Sequence, residues 1–435
     1  MLGILDQATQ SRLAGTVGRL THSRLMRQNL ILLSAGAASG LGGFVYHAIA
    51  GRLLGPARYG EVASLIAAYT ILYSPALVIQ LVVARFSAQM SASEQSGRLR
   101  YMLGRTTVVV GGASAMVLVI CLLLAIPLTR FLHLESALPL LWLGLALATI
   151  YISGIMRGAL QGLQRFAGLA VNQVTEMATR ATTLLALLLA GFGVTGAMTA
   201  VFLGALASVG VGAPPLAGLL RAKPEKDRLR SVARFTLPVA LGTLGVIWLY
   251  NTDVILARHF LSPRQGGFYG GLNKIGTIIY FITWSVSQVM FPRVVEARNR
   301  GRDPRPLLLA SVAIVTAIGL AGAAIFFADP RFVVALLFGN AFVAAAPLVP
   351  IAGLIGLSLS LDNLLVNYFL SIHDNAFVPL LAMGCLCQVL LISLFHHSLS
   401  QVVFSELSAT LVLLTALAVR YMRTSYQPPS AIGTA

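Results

Sequence analysis

The sequence predicts an all-α integral membrane protein, with about twelve transmembrane helices in two six-helix lobes related by a parallel pseudo-twofold repeat. Three observations predict it. First, of 435 residues 57% are hydrophobic and only 10% are charged, whereas a soluble domain carries about 25% charged residues. Second, apolar runs recur at the length of roughly 20 residues that a helix needs to cross about 30 Å of hydrocarbon. They lack the alternating pattern of a β-barrel strand. Third, two matching hairpins lie about 208 residues apart. One reads Ala50-Gly51-Arg52-Leu53-Leu54-Gly55-Pro56, reaching Tyr59-Gly60. The other reads Ala257-Arg258-His259-Phe260-Leu261-Ser262-Pro263, reaching Tyr269-Gly270. The prolines align at an offset of 207 and the Tyr-Gly pairs at 210, a three-residue insertion. A helical membrane protein whose second half repeats its first usually carries a transport site between the halves.

Taken in order, residues 1–28 hold Arg12, Arg19, Arg24 and Arg27 without a compact apolar core. They are therefore expected as a cytoplasmic tail, lying on the lipid surface if helical, and not as a cleavable signal. Spans 1 to 6 are expected at 29–52, 61–85, 103–128, 137–160, 168–192 and 195–220, which makes 29–220 an N-lobe. The basic stretch 221–232, with Lys223-Pro224-Glu225-Lys226, is the expected linker. Spans 7 to 12 follow at 233–258, 267–292, 307–328, 343–371, 376–397 and 399–421, giving a C-lobe over 233–421 and a tail over 422–435.

The net charge of +17 is spread between spans and marks no basic module for nucleic acid. The tails and the even-to-odd loops carry 23 Lys and Arg, while the odd-to-even loops carry six: Arg52, Arg58, Arg130, Arg258, Arg264 and Arg331. The positive-inside rule puts both termini in the cytoplasm. With six spans per half, the two halves then share one orientation, so the repeat is parallel. Cys121, Cys385 and Cys387 fall inside apolar runs and indicate no disulfide framework. No catalytic motif, no metal-ligand spacing and no nucleotide-binding G-x-x-x-x-G-K-[ST] occurs. The short outward loops leave no room for the folded outer domain that a membrane sugar polymerase or ligase would need.

The segment Ala50 to Leu65 resembles the first-hairpin signature of the polysaccharide and O-antigen (Wzx-type) flippases. These belong to the multidrug/oligosaccharidyl-lipid/polysaccharide (MOP) exporter superfamily. Leu160-Gln161-Gly162-Leu163-Gln164-Arg165-Phe166, Asp253, Tyr269-Gly270, Asn273-Lys274 and Phe291-Pro292 extend the likeness. The resemblance runs from about residue 25 to 423. It implies two lobes around a central cavity in a bacterial-type cell membrane. It also implies alternating-access movement of a polyprenyl-diphosphate-linked glycan to the outer leaflet, alongside other polysaccharide-assembly membrane proteins. No cofactor is implied; an H+ or Na+ gradient would drive the cycle. A multidrug exporter of the same architecture is the alternative.

Charges at bilayer depth cost ~3 kcal/mol or more and usually face a cavity or a partner. Asp253 and Lys274 flank the second hairpin at ~9 and ~12 Å from the turn, which sets an acid and a base at similar depth. They are expected either as a coupling acid and a phosphate-binding cation or as a buried ion pair. The aligned positions in the first half are Tyr46 and Ser64. Glu176 and Arg180, four apart, are expected to pair with each other, or Arg180 to meet phosphate through its planar fork. Arg180 and Lys274 stand as the embedded cations available to a diphosphate. Asp362, with Asn363 and Asn367, makes a polar face in span 10, and Glu406 is a lone acid in span 12. Tyr69 and Tyr73 share a face of span 2 that suits sugar rings or helix packing, and Pro75 is expected to kink that span. Lys274, Arg180, Tyr69, Tyr73, Asn273, Asn363 and Asn367 are thus the candidate substrate contacts. Asp253, Asp362, Glu176 and Glu406 are the candidate ion-coupling acids. Arg52 and Arg58 at the rim, with His47 one turn deeper, are expected as interface anchors or release contacts.

Overall fold

The computed structural model describes residues 24–93, 95–221, 223–225 and 244–423, and every element among them is helical. The remaining parts of the expected tails and linker, and residues 233–243 of span 7, lie outside the described residues. α1 (Arg24–Ala92) carries predicted spans 1 and 2 as one 69-residue helix folded at Gly55, where φ is 68° and ψ 175°. Glycine reaches that conformation without steric cost. Pro56 then opens the second arm, where its missing N–H is not needed. Pro75 leaves the helical dihedrals of that arm intact, and Gly55 is the break.

α2 (Ser96–Leu123) and the short α3 (Ala125–Phe131) share the run predicted as span 3. α4 (Leu138–Gly162) and α5 (Phe166–Leu189) match spans 4 and 5 to within three residues, while α6 (Gly193–Gly212) covers only the first part of span 6, whose end is the 3₁₀ segment Pro214–Arg221. Residues 244–249 are helical, Tyr250 and Asn251 form a turn, and α7 (Thr252–Phe260) resumes. Span 7, expected as one rod, is therefore interrupted. Gln388 donates to the Leu249 carbonyl at 2.7 Å, Asn251 donates back to Ile247 O at 2.8 Å, and the Tyr250 hydroxyl reaches Leu359 O at 2.7 Å. Side chains thus take over bonding that a continuous helix would supply.

α8 (Pro263–Asn299) starts like the second arm of α1, with proline in its first turn, and Ser262 Oγ accepts from the Gln265 amide. At 1.5 Å per residue its 37 residues outrun the hydrocarbon core. α9 (Arg305–Ala328), α10 (Pro330–Phe338), a 3₁₀ segment (Asn340–Leu348), α11 (Val349–Ser371), α12 (Phe377–Leu394) and α13 (Leu399–Arg423) complete the chain. By length and apolar composition, nine described helices suit a membrane crossing, with Ser34–Ala92 counted once. α5 is not among them, because Asn172, Glu176 and Arg180 put a polar stripe along one of its faces.

α4 packs on α1, α2 and α6, and α5 on α6 and α1; α8 packs on α11 and α9, and α13 on α11 and α12. Close approach explains the glycine spacing. Gly154, Gly158 and Gly162 lie one turn apart on α4 against the backbone of Ala76, Gln80 and Ala84 in α1. A Cβ at Gly158 would stand 2.6 Å from Gln80 O, so only glycine permits this crossing. Contact between α1 and α8 joins the two halves. It is tightest at the end bearing both hairpins, where Gly267 meets the Pro56 carbonyl and Gly60 meets the Gly267 amide.

Candidate functional site

A cavity of about 540 Å³ opens between the halves. Both arms of α1, together with α4 and α5, wall one side; residues 246–251 and α8 wall the other. Tyr69, Tyr73, Glu176, Arg180 and Lys274 line it, five of the residues singled out in the sequence. Tyr69 and Tyr73 stack with ring centroids 6.0 Å apart and planes 7° from parallel. Tyr250 and Tyr280 lie together on the far wall, 4.6 Å between centroids. His47 lines the cavity toward the hairpins, its Nδ1 3.1 Å from the Tyr59 hydroxyl.

The charges are arranged differently from the expectation. Glu176 does not pair with Arg180. Its carboxylate is held by the Nη2 of Arg157, whose Nε donates to Asn172 Oδ1 at 2.7 Å and whose Nη1 reaches the Tyr73 hydroxyl at 3.5 Å. Asn172 in turn donates to Ser208 O on α6 at 2.5 Å. Arg157 is only 6% exposed, so three cations line the cavity among the described residues where two were expected. The physical reason is reach: α4 and α5 are joined by three residues, which sets Asn172 at the depth of Arg157, and the long guanidinium arm extends about one turn further to Glu176.

Freed of Glu176, Arg180 lies over aromatic faces, its guanidinium carbon 4.6 Å from the Tyr46 ring centroid and 5.6 Å from that of Tyr69. Its Nε is buried without a hydrogen-bond acceptor among the described residues. A planar cation flanked by rings and lacking a carboxylate is prepared for an anionic oxygen.

Asp253 and Lys274 do not form an ion pair either. Asp253 Oδ2 accepts from the Tyr269 hydroxyl and from Asn273 Nδ2, each at 2.8 Å, while Lys274 lines the cavity. Tyr269 and Asn273 are one turn apart on the face toward α7, and the next residue is rotated by about 100°. Equal depth was right for this pair, but the faces differ.

Asp253 belongs to a second, smaller pocket of about 20 Å³, enough for one water or a small ion. Glu406 shares it, fixed by Gln388 Nε2 at 2.8 Å, together with Tyr269 and Asn273. Asp253 Oδ1 and Asn273 Oδ1 are buried without hydrogen-bond partners among the described residues. Thr277 lines this pocket and the large cavity alike, so one turn of α8 separates them. Asp362 is buried on α11, and neither carboxyl oxygen has a hydrogen-bond partner among the described residues. Asn363 and Asn367, expected at the substrate cavity, line neither space; Asn367 donates to Asn363 and Asn363 to Ser287 Oγ. Asn273 serves the small pocket. At the rim Arg52 donates to Leu336 O and Arg58 pairs with Glu135 at 3.2 Å.

This architecture can be set beside known proteins. An inward-facing MATE family multidrug resistance transporter of the MOP superfamily superposes with a TM-score of 0.73 at 15% identity, covering 90% of this chain and 98% of the other. The lipid II flippase MurJ, in an inward closed conformation, gives 0.72 at 10% identity, covering 90% and 87%. An outward-facing MATE family transporter gives 0.59 at 15% identity, covering 91% and 96%. At these identities the likeness establishes the fold of the MOP superfamily. None of the curated proteins matches the sequence. A family model described as polysaccharide biosynthesis protein matches residues 25–298, well over half of the chain. The chain is therefore a multi-pass membrane protein with a MOP fold, and it belongs to the polysaccharide biosynthesis protein family.

Proposed function

We propose that this protein flips a polyprenyl-diphosphate-linked oligosaccharide from the cytoplasmic to the outer leaflet by ion-coupled alternating access. Family and fold point to a transporter rather than a catalyst. The observation that carries the reading is the charge of the cavity. Arg157 is neutralised by Glu176, whereas Arg180 and Lys274 face the same space with no ion-pair partner among the described residues. Two such cations match the charge of a diphosphate, and the stacked tyrosines beside Arg180 offer flat apolar faces to sugar rings. The excess of basic residues away from the hairpins supports an outward-facing hairpin end and cytoplasmic termini.

The pocket of Asp253 and Glu406 supports coupling. Two buried carboxylates with no basic ion-pair partner among the described residues offer oxygen acceptors to a proton or Na+. Thr277 lines both spaces, which supports communication between the two pockets.

Depleting the protein in its native cell and profiling lipid extracts by mass spectrometry tests the proposal. One polyprenyl-diphosphate glycan is expected to accumulate and to stay inaccessible to enzymes added outside. No accumulation, together with raised sensitivity to organic cations, would instead support the exporter alternative.

A further inference from the structure

Arg258 is the largest fully buried side chain among the described residues, at 2% exposure, and it sits in the second hairpin. Most of its bonds cross to the other half. Nε donates to Leu132 O at 2.9 Å, Nη2 to His133 O at 2.6 Å, and Nη1 to Ala57 O at 3.3 Å and to its own hairpin at Pro263 O, 3.2 Å. Glu61, 3% exposed, lies 3.7 Å from Nη2 and accepts the Glu135 amide on its other oxygen. His259 adds a bond to Phe131 O at 2.8 Å and stacks on the Phe131 ring at 4.1 Å. A guanidinium with five N–H groups thus binds two segments of the first half, 57–61 and 132–133, at one point.

The repeat makes this asymmetric. At the offset of 207, Arg258 aligns with Gly51, and at 210 Glu61 aligns with Gly271. On the glycine side there is no ion pair. Phe338 fills the space over Gly51 and Phe342 that over Gly271, and both rings pack on Tyr59 at 5.3 and 5.6 Å. One pseudo-symmetric flank of the hairpin contact is therefore polar and the other aromatic.

We infer that Arg258 and Glu61 form a latch that holds the hairpin end of the transporter shut, and that the Phe338–Phe342 plug seals the opposite flank. The inference rests on the alternating-access reading, because a latch matters only if that end opens. An aromatic plug on glycines can separate without leaving buried polar groups exposed to each other. The latch cannot: opening must replace Arg258's carbonyl partners and the Glu61 carboxylate with water or substrate. It thereby sets the population of the hairpin-closed state.

The test is cysteine accessibility. In a chain whose Cys121, Cys385 and Cys387 are changed to Ser, Thr70→Cys places one thiol in the cavity. An impermeant maleimide is applied to right-side-out and to inside-out vesicles. Glu61→Gln, which keeps an acceptor for the Glu135 amide but removes the ion pair, is expected to raise labelling from the hairpin side about tenfold and to lower it from the other side. Arg258→Lys should raise it further, since an ammonium keeps the charge but offers fewer donors. Labelling in Glu61→Gln that is unchanged, or raised from both sides as in a broken fold, would overturn the latch. Labelling needs no substrate, so this outcome is independent of whether a lipid-linked glycan accumulates on depletion.

Discussion

Transport by an Arg180→Gln, Lys274→Gln double variant is expected to fall at least about a hundredfold. A charge-assisted hydrogen bond contributes ~1.5–3 kcal/mol, and each ~1.4 kcal/mol is a factor of ten. Losing one cation should therefore cost about ten- to a hundredfold and losing both considerably more. Arg157 cannot substitute, because Glu176 and Asn172 already occupy its fork. Arg180→Lys should fall between wild type and Arg180→Gln: it retains charge but not the planar face that lies over Tyr46 and Tyr69. The readout is the rate of glycan appearance outside, normalised to protein in the membrane. Full activity in Lys274→Gln would favour the multidrug exporter alternative, which has no need of a buried cation.

The largest stability effect is expected at Arg157. Arg157→Met strands the Glu176 carboxylate in a buried site, and breaking such a pair typically costs ~3–5 kcal/mol. Replacing both partners, Arg157→Met with Glu176→Met, should recover most of that loss, because no unpaired charge remains. Arg180→Gln should cost far less, on the order of the ~0.5–2 kcal/mol of a cation–π contact. Thermal unfolding of the detergent-solubilised variants separates these cases. If Arg180→Gln were as damaging as Arg157→Met, the pairing of Glu176 with Arg157 would be wrong.

The two charge networks show what the sequence could and could not convey. The hairpin repeat was legible because proline, tyrosine and glycine mark it at fixed offsets, and helix ends at Pro56 and Pro263 follow from the same residues. Depth was legible too: counting from a turn places 253 near 274, and the same count from the 163–165 loop places 157 opposite 172, one turn short of 176. Arg157 was missed because it lies three residues from the predicted end of span 4, where an arginine usually snorkels to the interface. The missing signal was the acid one turn deeper on the next span, within the reach of an arginine side chain. Rotation about the helix axis was not legible. One residue decides whether α8 turns Asn273 or Lys274 toward Asp253, and that depends on the packing of α7, α8 and α13 around the small pocket. Nor could the break at Tyr250-Asn251 be read locally, since Gln388, more than 130 residues away, helps to make it.

The most direct measurement uses purified protein in liposomes carrying a fluorescent polyprenyl-diphosphate oligosaccharide, with an impermeant glycosidase reporting on one leaflet. An imposed H+ or Na+ gradient is expected to speed loss of the protected glycan, and the Arg180→Gln, Lys274→Gln variant should abolish that effect. Protection that persists under both gradients, in vesicles that do export an organic cation, would contradict the account.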